Sequence, residues 1–70
     1  LVAIKMTIDY GTLLRTRREE LGLSQVAVAD MAMCHRTTVI KAEQGNGMTL
    51  DVFLSILQAL KLKLEVVEDG

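Results

Sequence analysis

Two glycine-containing turns divide the middle of this 70-residue chain into short segments. Gly22 followed by Ser24 is typical of a helix that ends on a left-handed glycine and of a next helix that a serine hydroxyl caps. The sequence Gln-Gly-Asn-Gly at residues 44–47 is a second turn signal. The interval 24–43 therefore has room for two short helices joined by a tight turn, the second running from about Arg36 to Glu43.

One further helix is expected on each side of this interval. The first runs from Tyr10 or Thr12 to Leu21, with Asp9 or Thr12 as its cap, and the last begins after Thr49. Apolar residues at helical spacing should face a common core. They are Leu13, Leu14 and Leu21 in the first helix, Val26 and Ala29 with Ala32 or Met33 in the second, and Leu50, Phe53, Leu54, Leu57 and Leu60 in the last.

The composition limits how that core is built. Half of the residues are hydrophobic, but the chain has only one Tyr and one Phe, so the core must be aliphatic. The methionines Met31, Met33 and Met48 are interpreted as core filling. A chain this short buries a modest share of its surface, so the apolar excess favours additional burial in a dimer.

Near the end of the chain, the spacing of the apolar residues changes from helical to alternating. Leu62, Leu64 and Val66 alternate with polar residues, which predicts a strand over residues 61–67. A lone strand leaves its backbone N–H and C=O groups without partners. It pairs either with residues 2–8 of the same chain or with its own copy in a dimer, and we prefer the dimer.

Residues 1–8 also alternate loosely between apolar and other residues. They are either a strand that adds to the same sheet or, because Met6 would be a natural start, a disordered or non-native lead. The expected organisation is therefore an arm at 1–8, a helical domain at 9–60, and a dimerisation strand with an acidic tail at 61–70.

Several function classes are disfavoured by the residues present. Cys34 is the only cysteine and no Cys/His spacing suggests zinc, so we expect neither a disulfide nor a metal site. No paired carboxylates, nucleophile–base pair or phosphate-binding glycine loop is found, so no catalytic site or cofactor is expected. No apolar run suits a membrane span or a signal peptide, which favours a cytoplasmic protein.

The net charge of −1 argues mildly against a nucleic-acid partner, but the charges are unevenly placed. Most basic residues lie between positions 15 and 41, whereas the end of the chain is acidic. A local basic patch can bind phosphate even when the total charge is near zero. The basic residues of this region are Arg15, Arg17, Arg18, Arg36 and Lys41.

The third helix is expected to have two chemically different sides. At about 100° per residue, Thr38, Val39, Ala42 and Glu43 fall on the inner side, and Arg36, Thr37, Ile40, Lys41 and Gln44 on the outer side. An arginine can bind guanine through O6 and N7, and a threonine or isoleucine methyl can contact thymine. The outer side therefore suits DNA bases, although any amphipathic helix has a charged outer face.

A larger set of residues resembles the signature of the Xre/Cro-C1 helix-turn-helix family over residues 10–60. The matching residues are Gly11, Leu14, Arg15, Arg18, Gly22, Leu23, Ser24, Gln25, Ala29, Thr38, Val39, Glu43 and Gly45. The resemblance implies an all-α, four-helix, lambda-repressor-like domain that is usually dimeric and represses transcription at a palindromic operator in double-stranded DNA.

The resemblance also implies roles for individual residues. Arg18 and Glu43 would form a buried ion pair between the first helix and the recognition helix. Gln25 matches a position that contacts backbone phosphate, with a solvated helix start as the alternative. The segment 44–46, with Gln44 and Asn46, matches a second phosphate-contacting loop.

The terminal helix and strand resemble the HipB-like branch, which consists of antitoxins that bind a kinase toxin and repress their own operon. Three residues depart from the family pattern. Met33 replaces the usual left-handed glycine of the turn, at a cost of about 1 kcal/mol. His35 replaces a small polar cap and would either cap the helix or contact a phosphate, and Ile40 replaces a small polar residue.

These observations predict a sequence-specific repressor, with an antitoxin role as the finer hypothesis. The bases would be contacted by Arg36, Thr37, Ile40 and Lys41, and the phosphates by Gln25, His35, Gln44 and Asn46. The alternative is a protein-interaction module that keeps the fold but has lost DNA recognition, favoured by the net charge, Met33 and Ile40. An enzyme is the least favoured class.

Overall fold

Four short helices follow one another in the computed structural model, which describes residues 9–65. They are α1 (Tyr10–Glu20), α2 (Gln25–Ala32), α3 (Arg36–Glu43) and α4 (Leu50–Ala59). The four predicted helices are thus confirmed, with boundaries within about one residue of those expected. Among residues 9–65, no helix is long and apolar enough to cross a membrane.

Three of the helices begin on a side-chain cap. Asp9 accepts the N–H of Thr12 at 3.2 Å, Ser24 that of Ala27 at 3.0 Å, and Thr49 that of Val52 at 3.3 Å. Each bond satisfies one of the N–H groups that a helix start leaves without an internal partner. At the start of α3, His35 has the extended backbone of a cap but its imidazole makes no capping bond, so the side-chain cap considered from the sequence is absent.

All four helices end on a residue in the left-handed region. These residues are Gly22, Met33, Gly45 and Lys61, with φ of 69°, 57°, 81° and 58°. In every case the next residue donates its N–H to a carbonyl five residues earlier, at 2.8–3.1 Å, which is the Schellman motif. The expected left-handed conformations at Gly22 and Met33 are confirmed, whereas that of Lys61 was not foreseen.

The core is aliphatic, as the composition required. α2 packs against both α3 and α4, and α1 packs against α3. The buried side chains come from all four helices and from Leu60, which directly follows α4. They are Leu14, Val28, Ala29, Ala32, Val39, Ala42, Ile56, Leu57, Ala59 and Leu60.

Several apolar residues assigned to the core are exposed instead. The inward face of α2 is formed by Val28, Ala29 and Ala32, so Val26 lies outside it and Met33 is 93% exposed. The interpretation of the methionines as core filling is wrong for Met31 and Met33, and Met48 is half-buried. In α1 and α4, the prediction is wrong for Leu13, Leu50 and Leu54. A helix this short buries only the part of its apolar stripe that a neighbour covers.

The strand predicted near the end of the chain is not formed in its described part. Residues 62–65 are irregular, and Leu62 and Leu64 are half-buried against the core of the same chain. Within residues 9–65 no strand lies alongside them, so they have no edge with which to pair. Val66 and the arm at 1–8 lie outside the described residues.

Candidate nucleic-acid interface

The two sides of α3 differ in burial and in chemistry. Val39 and Ala42 are buried in the core. The opposite side is polar and basic, with Arg36, Thr37 and Lys41 all exposed. α3 therefore offers an exposed row of hydrogen-bond donors on a helix whose other side is held by packing.

Ile40, the apolar residue on this outward side, is half-buried because it lines an open groove. The groove runs between α1, the start of α2 and the outer side of α3. Its lining combines charged, amide and apolar side chains, namely Arg15, Arg18, Ser24, Gln25, Ile40, Glu43 and Gln44. A methyl-bearing side chain at the edge of such a groove can contact an apolar group of a ligand without being fully exposed.

Arg18 and Glu43, which both line this groove, form an ion pair. Arg18 donates from Nε to Glu43 Oε2 at 2.7 Å and from Nη2 to Oε1 at 3.2 Å. Its Nη1 donates to the carbonyl of Leu23 at 2.9 Å. The hydrogen bond to Glu43 raises the pKa of Arg18 above its ordinary value. The pair ties α1, the turn after it and the end of α3 into one unit, as the family pattern implies for these two positions.

Gln25 is also held by this carboxylate. Its Nε2 donates to Glu43 Oε1 at 3.3 Å, and the side chain is part-buried. Gln25 is therefore not the simply solvated helix start that was the alternative, and its phosphate contact stays a prediction. An amide nitrogen carries two hydrogens, so one N–H remains for a second acceptor.

The turn after α3 is held from α1. The hydroxyl of Tyr10 donates to the carbonyl of Asn46 at 2.9 Å, and its ring meets Phe53 edge-on at a centroid distance of 5.7 Å. Asn46 and Gln44 are exposed, and the amide of Asn46 donates to Gln44 Oε1 at 3.4 Å. Sequence reasoning missed the role of Tyr10, whose only signal is that it is the single tyrosine of the chain.

Gly11 allows α1 to lie directly against the end of α3. A β-carbon at Gly11 would collide with the carbonyl oxygen of Glu43 and contact the backbone nitrogen of Gly45 at 3.0 Å. Only a residue without a side chain permits this approach. The glycine thus sets how α3 and the following turn lie relative to α1.

The two residues that precede α3 differ in exposure. His35 is exposed, and Cys34 is half-buried against the core, where burial raises the pKa of its thiol. A raised pKa lowers the fraction of reactive thiolate, so Cys34 behaves as the small apolar residue expected. Over residues 9–65, no three His, Cys, Asp or Glu side chains are grouped to hold a metal ion.

Two short helices joined by a tight turn, with a polar outer face on the second, form a helix-turn-helix. Residues 9–69 match the family model described as helix-turn-helix domain. The chain belongs to this family, in its Xre-like form, and is a DNA-binding regulator. No curated protein matches the sequence significantly.

Several solved structures share the fold. The restriction-modification controller protein C.AhdI from Aeromonas hydrophila is 30% identical, with a TM-score of 0.74 over 80% of this chain and 86% of its own. HipB(S29A) in complex with an O2 20mer is 21% identical, with a TM-score of 0.78 over 97% and 99% of the two chains. A HipA-HipB-O2-O3 complex matches at 21% identity and a TM-score of 0.78 over 97% of this chain and 100% of that one.

Proposed function

We propose that this protein is a sequence-specific transcriptional repressor that contacts bases through Arg36, Thr37, Ile40 and Lys41. The observation that carries the proposal is the outward face of α3, which is exposed and basic while Val39 and Ala42 hold the other side in the core. Such a helix can enter the major groove as a rigid body, because the packing and the Arg18–Glu43 pair fix its orientation.

Each residue of this face has a chemistry suited to a base edge. Arg36, at the first turn of α3, can donate two hydrogen bonds to guanine O6 and N7. Thr37 can donate, accept or place its methyl on thymine, and Ile40 can contact a thymine methyl from the rim of the groove. Lys41 can bind guanine or a phosphate.

The phosphate contacts would flank this helix. Gln25 and His35 stand at the starts of α2 and α3, and Gln44 and Asn46 follow the end of α3. His35, Gln44 and Asn46 are exposed, and Gln25 keeps one amide hydrogen beyond its bond to Glu43. Phosphate contacts of this kind set the position of the protein on the duplex and carry no sequence information.

The repressor would act as a homodimer on a palindromic operator. In the single chain Leu62 and Leu64 are only half-buried, which leaves apolar area for pairing of a strand that includes Val66 with its copy. A two-fold dimer would place its two recognition helices about 34 Å apart, one turn of the DNA helix.

The finer role that we infer is that of an antitoxin that represses its own operon and binds a kinase-like toxin. It is supported by the fold shared with HipB, both in a complex with an O2 20mer and in a complex that includes HipA. The likeness to a restriction-modification controller protein supports a different regulatory setting. The neighbouring gene distinguishes the two, because an adjacent kinase-like toxin supports the antitoxin role and adjacent restriction-modification genes support the controller role.

A gel-shift titration of the purified protein with its own promoter and with random duplex tests the repressor function. We expect a clear preference for the promoter that Arg36→Ala reduces by about 1–3 kcal/mol. Arg17→Ala removes the same residue type from α1, where its side chain donates to the carbonyl of Leu60, and serves as the matched control. Equal binding of the wild-type protein to promoter and random duplex would refute the proposal.

A protein-interaction module that keeps the helix-turn-helix fold but has lost specific DNA recognition is the second candidate. It is favoured by Met33, which stands 93% exposed in the turn before the recognition helix, and by the net charge of −1. Under this alternative, a variant with both Arg36→Ala and Lys41→Ala would bind the promoter as well as the wild-type protein does.

A further inference from the structure

Among residues 9–65, the lining of the groove beside α3 contains one cation that makes no bond to another element of the fold. Arg18 and Glu43 neutralise each other inside it through two hydrogen bonds. Ser24 and Gln25 are uncharged, as are Ile40 and Gln44. The remaining lining residue, Arg15, therefore gives the open groove its net positive charge.

Arg15 is free to exchange its partner. Its Nε lies 3.3 Å from Glu19 Oε1, one turn along the same helix, and the two side chains are 66% and 59% exposed. Ion pairs this exposed are weak. The two nearby arginines of α1 already have partners on other parts of the fold: Arg18 is bound to Glu43, and Arg17 donates to the carbonyl of Leu60 at 3.1 Å.

We propose that Arg15 binds a phosphate of the DNA backbone that lies over this groove, and that it leaves Glu19 to do so. The inference rests on the proposed function and adds α1 to the DNA-contacting surface. The ligand is a phosphodiester, because a guanidinium can donate two parallel hydrogen bonds to its two free oxygens. Gln25, which lines the same groove, has a further amide hydrogen beyond its bond to Glu43.

The salt dependence of promoter binding tests this contact. Each phosphate contact contributes about 0.9 to the slope of log K against log salt concentration. Arg15→Ala should therefore lower the slope by about 0.9 per half-site, or about 1.8 for a dimer on a palindrome. The preference for promoter over random duplex should not change, because a phosphate contact is independent of sequence. Arg15→Lys keeps the charge and should keep the slope.

Arg17→Ala is the matched control, since it removes the same residue type from the same helix. Because Arg17 contacts the end of α4, its loss should leave the salt slope unchanged, and urea unfolding of every variant shows that the protein titrated is folded. A wild-type slope in Arg15→Ala, with promoter preference intact, overturns this inference alone. Absence of promoter preference in the wild-type protein overturns the proposed function and this inference with it.

Discussion

Arg18 and Glu43 join the first helix to the recognition helix through two N–H···O bonds, of 2.7 and 3.2 Å, across 25 positions of sequence. Their side chains are only 14% and 7% exposed. Removing one partner of such a pair leaves a charge without compensation in a poorly solvated place. We expect Glu43→Ala to lower the free energy of unfolding by about 3 kcal/mol, measured by urea denaturation.

A double variant separates the free-energy cost of burying an unpaired charge from the net stabilisation that the ion pair contributes. Arg18→Met combined with Glu43→Leu fills similar volume without charge and should regain most of the stability lost in Glu43→Ala. If Glu43→Ala changes the midpoint of unfolding by less than the error of the measurement, the pair has no stabilising role.

We predict that any side chain at Gly11 destabilises the fold for a steric reason. In Gly11→Ala the new methyl group would collide with the Glu43 carbonyl oxygen, and backbone cannot move aside as a flexible side chain can. We expect a loss of about 1–3 kcal/mol in the free energy of unfolding. Gly47→Ala is the control, because no atom beyond its two chain neighbours lies within 4 Å of the position its methyl group would take. Equal stability of the two variants would contradict this explanation.

Met33 should be a position where glycine stabilises the protein. Its φ of 57° strains any residue with a β-carbon, and its side chain, 93% exposed, has little packing to lose. Met33→Gly should raise stability by about 1 kcal/mol, seen as an increase in Tm of about 4–8 °C. Met33→Ala keeps the β-carbon and should leave Tm near that of the wild type; a similar gain in both variants would point to the side chain rather than the backbone.

Asp9 should make part of the stability dependent on pH. Bonds from the hydroxyl and the backbone N–H of Thr12 lower the pKa of Asp9 below its ordinary value of 3.8. A carboxyl with a lowered folded pKa stabilises the protein fully above its unfolded pKa, and this contribution is lost as pH falls through the folded value. The stability difference between wild type and Asp9→Asn should therefore be largest near neutral pH and vanish in strong acid. A difference that stays constant with pH would contradict the assignment.

The helices were predictable because their signals are local. Ser24 and Thr49 each bind an N–H three residues away, and Gly22 ends α1 through bonds that span three and five residues. Such contacts depend only on neighbouring sequence. The left-handed Lys61 shows the limit of local prediction. Its N–H bond to the carbonyl of Gln58 also spans three residues, but nothing in a lysine signals a positive φ.

The candidate site was predictable only in part. Helical phase separates the outward Arg36 and Lys41 from the buried Val39, because the spacing of residues within one helix decides it. The contact of Gln25 with Glu43 and that of Tyr10 with Asn46 join residues 18 and 36 positions apart. Neither has a local pattern, since each depends on how separate helices are packed.

The sequence by itself determined where the helices begin and end, since caps and left-handed turns use hydrogen bonds over three to five residues. It also implied, through its resemblance to a family, that Arg18 and Glu43 would meet. Only the tertiary structure decided which apolar residues are covered, so that Leu57 is buried while Leu54, on the same helix, is exposed. The tertiary structure also decided that Arg17 and Arg18 bond to other parts of the fold, whereas Arg15 lines the open groove with a partner only on its own helix. The reason is that a side chain's distant partners depend on how other helices pack against its own.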